Sequence, residues 1–219
     1  MTHFVRGLLG MGNRKLGGSI HTFSLPAEVT CPGATETCRT HCFAKRGRFL
    51  LEHVREKLAW NWRQAQRKDF VDRMTREIRR KGVIACRVHP CGDFATAEYT
   101  RRWLEIMRRS PRTKFWAYTR SHSCPDIAEV LEQMAALPHM KLWYSTDQDT
   151  GVPDRIPNGV RLAYLQVDAD EEANADLVFR IQRLRKGRKR VGLPMVCPNE
   201  LPSGRANDVN CGNCGHCWH

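Results

Sequence analysis

The sequence predicts an α/β protein, a partial (β/α)6 TIM-like barrel with a C-terminal cysteine-rich extension. Three observations lead there. Short β-prone apolar stretches alternate with segments of helical periodicity from about residue 19 to residue 196, the pattern of parallel βαβ units. The second of these strands divides its residues by character, with Ile84, Cys86 and Val88 on one face and Arg87 and His89 on the other. A doubly wound sheet, covered by helices on both faces, would read apolar throughout, whereas a barrel with a polar lumen accommodates the split. Finally, three of the six predicted strand ends deliver cysteine, and C-terminal strand ends are where βα barrels collect functional groups.

The first strand is Ser19–Leu25, which alternates, is β-prone and stops at Pro26. A helix from about Arg48 to Lys68 places Leu51, Val54, Leu58 and Trp62 at helical spacing. A second helix starts at about Asp69 as N-cap, carries Phe70, Val71, Met74 and Ile78 as its apolar stripe, and ends near Lys81-Gly82. Then follow the strand Val83–His89, the loop Pro90–Phe94, a helix over Thr96–Arg109 and the strand Lys114–Thr119. A helix over Asp126–Leu137 leads to the strand Met140–Ser145, and a Gly/Pro-rich loop crosses to the strand Val160–Val167. The reading closes with a helix over Glu171–Leu184, a basic turn Arg185–Arg190 and a sixth strand Arg190–Val196 that delivers Cys197. The expected division is 1–196 for the barrel with its N-terminal extension and 197–219 for the cysteine-rich module.

At 219 residues, 41% hydrophobic and 27% charged, the chain can bury one substantial core and reads as a folded protein outside the membrane. No run approaches the roughly 18–20 apolar residues of a membrane span, and Gly7–Met11 is too short for a signal peptide. The expected compartment is therefore the cytoplasm, where ten cysteines point to metal ligation over disulfides. The formal charge of +13 exceeds what solubility requires and suits an anionic substrate or nucleic acid, although solvated helix faces account for much of it.

The cysteines fall into two clusters. Cys31, Cys38 and Cys42 form C-x6-C-x3-C on the loop after the first strand. Three thiolates are one short of closing an iron–sulfur cube or a zinc tetrahedron, so one metal position is left open. Zinc sites usually show C-x2-C or C-x4-C pairs, which favours iron–sulfur over zinc here, with reduced core thiols as a third reading. In the second cluster Cys211, Cys214 and Cys217 form a ferredoxin-like C-x2-C-x2-C run, and Cys197 can supply the fourth thiolate of a cube or of a zinc site. Cys86 lies on the apolar face of its strand and reads as a buried thiol. Cys91 and Cys124 lie on functional-side loops, and either could fill the open corner of the first cluster.

The other strand ends are polar: Cys91-Gly92-Asp93, Thr119-Arg120-Ser121, Ser145-Thr146-Asp147, and Gln166 with Asp168. Gly92 allows the backbone to approach a ligand, and Asp93 can accept hydrogen bonds from an ammonium group. Arg87 and His89, facing the lumen, would hold an anionic group or form an internal salt bridge with Asp93 or Asp147.

Together these residues resemble the radical S-adenosylmethionine enzymes, which have a partial barrel, a three-cysteine loop after strand one and a glycine-plus-acid motif after strand two. The resemblance implies a [4Fe–4S] cluster on Cys31, Cys38 and Cys42 whose fourth iron binds S-adenosylmethionine, and an external electron donor to drive cleavage of that cofactor. It implies cofactor contacts from Gly92, Asp93, Phe94, Thr119 and Ser121, and a reaction chamber lined by Arg87, His89, Arg120, Ser145 and Asp147. The C-terminal cysteines would hold an auxiliary cluster. The usual spacing in those enzymes is C-x3-C-x2-C, and the usual motif after strand two is Gly-Gly-Glu. More closely, the chain is similar to the phage gene product 88 family. That likeness rests on Asn13-Arg14-Lys15-Leu16, Leu25-Pro26-Ala27, Cys31–Ala44, Arg87-Val88-His89-Pro90, Gly92-Asp93-Phe94, Tyr118-Thr119-Arg120-Ser121, Ser145-Thr146-Asp147 and Cys211–Trp218. It implies a phage or prophage origin and an iron–sulfur protein. The reading from a different class is a nucleic-acid-binding protein with structural metal sites, its phosphate contacts made by Arg76, Arg79, Arg80, Lys81 and the Arg185–Arg190 tract.

Overall fold

Backbone pairing in the computed structural model, which describes residues 7–168, 171–181 and 195–219, gives one eight-stranded sheet in consecutive order. β1 (Gly10–Met11) is antiparallel to β2 (Ile20–Phe23). From β2 onward every pairing is parallel: β3 (Ala85–Val88), β4 (Lys114–Thr119), β5 (Met140–Thr146), β6 (Val160–Gln166), β7 (Leu177–Arg180) and β8 (Met195–Val196). The helices are α1 (Glu36–Thr40), α2 (Glu52–Ala65), α3 (Phe70–Arg80), α4 (Ala97–Arg108), α5 (Pro125–Ala135), α6 (Pro202–Ala206) and α7 (Cys211–Cys214).

The consecutive order has a simple consequence. Right-handed crossovers between neighbouring parallel strands put their helices on a single face, and a doubly wound sheet would instead reverse its order at a switch point. No reversal occurs here. Residues of α2 to α5 accordingly pack on one face, where Phe70, Met74, Trp103, Ile106, Leu131 and Met134 meet Phe23, Cys86, Val88, Phe115, Ala117 and Leu142. Among the described residues β1 pairs only with β2 and β8 only with β7, so hydrogen bonding does not close the sheet into a barrel.

The opposite face is not the polar surface that the sequence led us to expect. Ile20, Ala85, Trp116, Trp143, Ala163 and Leu177 are buried on it, with Tyr118 and Phe179 packed among them. Leu16 and the C-terminal cysteine segment cover these residues, through Cys211, Cys217 and Trp218. Trp116 stacks on Trp218 at 6.0 Å and Tyr118 on Trp143 at 5.5 Å. With both faces covered, β4 and β5 read as almost continuous apolar runs.

Three further expectations are corrected. His89 does not face the same side as Arg87: β3 ends at Val88, and a positive φ of 54° at His89 breaks the alternation. Its ring turns into the helix-side core, 4.6 Å from the Phe94 ring, and hydrogen-bonds the Tyr99 hydroxyl at 2.7 Å. Ile84 precedes the strand and is 70% exposed. The helix expected over Glu171–Leu184 is absent through residue 181, and β7 occupies Leu177–Arg180. There the Glu171 carboxylate accepts from the amides of Val167 and Asp168 and from the Tyr164 hydroxyl, which fixes a loop. The last residues of that expected helix, the basic turn Arg185–Arg190 and most of the sixth strand lie outside the described residues; Met195–Val196 is the part seen as β8.

The N-terminal segment is fastened to α3 by one carboxylate. Glu77 accepts from the amides of Leu8 (2.7 Å) and Leu9 (3.1 Å) and pairs with Lys81 at 2.7 Å. Burial alone would raise the Glu77 pKa, but the Lys81 ammonium and the two amides outweigh it and hold it below its ordinary value. The stabilisation is therefore present above the ordinary carboxylate range and is lost as pH falls through the depressed folded value. Glu77→Gln should cost about 1–3 kcal/mol at neutral pH, and denaturant titrations should show that difference shrinking below about pH 4.

Candidate metal centres

The first cysteine group is built where the loops after β2, β3, β4 and β5 meet. Thr35 caps α1: its hydroxyl oxygen accepts from the Cys38 amide at 3.0 Å and donates to Asp147 Oδ2 at 2.6 Å. Asp149 accepts from the Thr37 amide at 2.8 Å, and Gln148 donates to the Thr37 hydroxyl at 3.0 Å. The turn after β5 thus holds the cysteine helix directly. Behind it Arg120 pairs with Asp147 at 2.8 Å, with 8% and 0% of their side chains exposed, and donates to the Thr146 carbonyl. Gly33 is packed so closely that a Cβ there would stand 2.1 Å from the Arg120 carbonyl oxygen.

Cys91 reaches the same place from β3. Its carbonyl accepts from the Leu25 amide at 2.8 Å. Gly92, at φ 79°, packs so tightly that a Cβ would stand 2.6 Å from Leu25 Cβ and 2.7 Å from Thr30 Oγ1. The glycine permits close approach to a neighbouring loop. A Lys45–Glu28 pair at 2.6 Å joins the stretch after Cys42 to that loop. Burial, with the Asp93 carboxylate and the Cys38 and Cys91 thiols nearby, raises the Cys31 thiol to about 12. Burial also raises Cys38, with Arg120 pulling the other way and Cys42 adding to the rise. Cys91 is raised to about 12 by burial and by Cys42. Cys31 thus has Cys38 and Cys91 as electrostatic neighbours, and Cys42 has Cys38 and Cys91.

The second group is assembled from the end of β8 and from α7. Asn210 caps α7 in a reciprocal box with Asn213, and the Cys211 amide donates to the Lys15 carbonyl at 2.8 Å. Trp143 Nε1 donates to the Cys217 carbonyl, Trp218 Nε1 to the Cys211 carbonyl, and Arg161 to the His216 carbonyl. Cys197, Cys211, Cys214 and Cys217 all line one recess with Leu177, Val209 and Trp218, about 340 Å³ with its open mouth included. Burial raises Cys217 to about 11. Arg87 lies over the Tyr118 ring at 5.3 Å, and its charge acts on Cys211 and Cys217; that of Lys15 acts on Cys197 and Cys211. Among the described residues no three His, Cys, Asp or Glu side chains are placed to hold a single metal ion.

A family model described as gene product 88 matches residues 7–219. The chain belongs to the gene product 88 family. It is 29% identical over 180 residues to the Gene 88 protein of Mycobacterium phage L5, covering 75% of this chain and 73% of the relative. The Gene 88 protein of Mycobacterium phage D29 is 28% identical over 180 residues, covering 75% and 72%. No solved structure matches the chain. These matches bear the gene 88 description, and none carries that of the radical S-adenosylmethionine enzymes. No helix among the described residues is long and apolar enough to cross a membrane.

In this gene product 88 protein the residues expected to form a chamber separate. Arg120 and Asp147 meet at the first group, while Arg87 faces the second. The ion pair considered for Arg87 or His89 with Asp147 is made by Arg120 instead. Asp93 is buried and accepts from the Thr119 hydroxyl (2.6 Å), the Phe94 amide (2.8 Å) and the Arg120 amide (2.8 Å). Burial raises its pKa against those bonds. Ser121 donates its amide to Thr119, Phe94 belongs to the helix-side core, and the Ser145 carbonyl bonds His122. Thr35, Lys15 and Tyr118 lie in the stretches that carry the family likeness but were given no role from the sequence, and Asp149 was not named. Only the capping position of Thr35, three residues before Cys38, was visible there. Because Arg120 and Asp147 are buried together, Asp147→Ala should destabilise the protein by ~3–5 kcal/mol by leaving Arg120 unpaired. Hydrogen exchange should rise across residues 31–42 in that variant, and a change confined to residues 147–150 would contradict the coupling.

Proposed function

We propose that this chain is a redox protein with two iron–sulfur centres, one on Cys31, Cys38 and Cys42 at the C-terminal strand ends and one on Cys197, Cys211, Cys214 and Cys217. The observation that carries the reading is the shared recess of the four C-terminal cysteines, which collects Cys197 and the α7 run from distant points of the chain. The donor set fits such a group. Thiols held up by burial ionise when metal replaces their protons, and each group has cations beside it to offset the resulting anionic charge. Arg120 serves the first group, and Arg87 and Lys15 the second. When bound, clusters of this kind accept and pass single electrons at potentials set by charge, hydrogen bonding and solvent exposure. The protein's own part is to fix the thiols, exclude water and place those cations.

Radical cleavage of S-adenosylmethionine is a narrower alternative to a purely electron-carrying first centre, and it requires one iron of that centre to keep no protein thiolate. It is supported by the position of the first group at the C-terminal ends of consecutive parallel strands. In that form Thr119, Ser121 and Asp93 set the shape of the first site through their mutual bonds. Protein purified without oxygen should contain about eight irons and matching sulfide per chain, and Cys211→Ser and Cys38→Ser should each remove about half. Zinc in place of iron would reject the reading for the site concerned.

The charge supports a second, separable property. Arg76, Arg79 and Arg80 are exposed on α3, and Arg101, Arg108 and Arg112 are exposed on and just after α4. This array suits the phosphate backbone of a nucleic acid. Binding to a DNA or RNA oligomer should weaken linearly with the logarithm of salt concentration. Arg79→Ala with Arg80→Ala should lower that slope by about 2, and an unchanged slope would place the contact elsewhere.

A further inference from the structure

We propose that Cys91 is the fourth ligand of the first centre, which closes on Cys31, Cys38, Cys42 and Cys91 and leaves no iron open to a small-molecule ligand. The inference rests on the iron–sulfur reading of this group and goes beyond it by settling what kind of centre the group makes.

Three chain segments bring the thiols together. The loop holding Cys31 is bonded to Cys91 through the Leu25 amide and packs Thr30 against Gly92. The segment holding Cys42 is tied to that loop by Lys45–Glu28. The helix holding Cys38 is fixed by Thr35 to Asp147, and through Asp147 to Arg120, whose amide bonds Asp93, two residues after Cys91. Cys91 is 3% exposed, so its thiol faces protein rather than solvent. It lies within the field of both Cys31 and Cys42.

The other unassigned cysteines are placed differently. Cys86 is buried inside the helix-side core, and Cys124 packs against that core at the start of α5. Ser123, the neighbour of Cys124, also packs against Gly33, but it is Cys91 whose own carbonyl is bonded to the loop holding Cys31, and on that ground the fourth corner goes to Cys91.

Coordination replaces the S–H bond of Cys91 with an S–Fe bond and sends one proton to solvent, with no electron transferred. A cube with four protein thiolates exchanges electrons without binding a substrate at iron. The first centre is thus an electron relay that matches the second in ligand type.

The test compares wild-type protein with Cys91→Ala, both purified without oxygen, by iron content and by electron paramagnetic resonance of the reduced state. Cyanide and S-adenosylmethionine are the probes, since each binds an iron that lacks a protein thiolate. The expected result is a wild-type spectrum unchanged by either probe, and a Cys91→Ala spectrum that shifts with cyanide or shows iron loss. A wild-type spectrum that shifts with either probe overturns the proposal, whatever the variant does. A Cys91→Ala protein indistinguishable from wild type also overturns it. If Cys91→Ala does not fold, Cys91→Ser supplies an oxygen ligand, and an altered spectrum is expected; an unaltered one counts against Cys91. Cys124→Ser should change nothing. Absence of iron from the wild-type protein would defeat the underlying iron–sulfur reading instead, and is distinguishable from all of these outcomes.

Discussion

The ion pair of Arg120 and Asp147 holds the first cysteine group in place. Two charges out of water are expensive, and such a pair contributes little net stability by itself. What it contributes is arrangement. Asp147 spends its remaining acceptors on the Thr35 hydroxyl and on the amides of Asp149 and Thr150, and Arg120 lends its own amide to Asp93. Loops following four successive strands are thereby locked to one another. Without the pair, each would be an ordinary surface connection free to find its own conformation.

A second constraint acts on the other side of the sheet. An apolar face beneath a parallel sheet must be covered, and here the chain covers it with its own cysteine segment. Carbonyls of Cys211, His216 and Cys217 accept from Trp218, Arg161 and Trp143, so backbone groups of the tail find partners as it lies down. The cysteines of the second group and core packing therefore share one short stretch. The two cysteine groups differ in setting as a result: one sits on loops beyond the strand ends, the other on aromatic side chains of the sheet itself.

Much of this was legible in the residues. β4 spans the stretch its pattern predicts, and the helix expected over Thr96–Arg109 is α4, with Thr96 as its N-cap. Local signals succeed where a strand or helix has to satisfy only its own neighbours. The failures share a cause. His89 was assigned by alternation, and a single left-handed residue broke it. Glu171 resembled the first turn of a helix, but its carboxylate was needed by loop amides instead. The polar second face was inferred from Arg87, although Trp116, Tyr118 and Trp143 already signalled strands covered on both sides. The cysteine spacings identified two groups, but the nearness of Cys91 to the first depends on contacts between distant loops that no local pattern encodes.

The tryptophans under the tail give the molecule an optical property of its own. Trp116 and Trp143 are buried, one stacked on Trp218 and the other hydrogen-bonded to the Cys217 carbonyl. Indole emission depends on whether the ring is shielded from water, and these rings stay shielded only while the cysteine segment covers them. The chain thus carries intrinsic fluorophores at the seam between tail and sheet. A red shift in their emission would report that seam opening in real time, with no label attached.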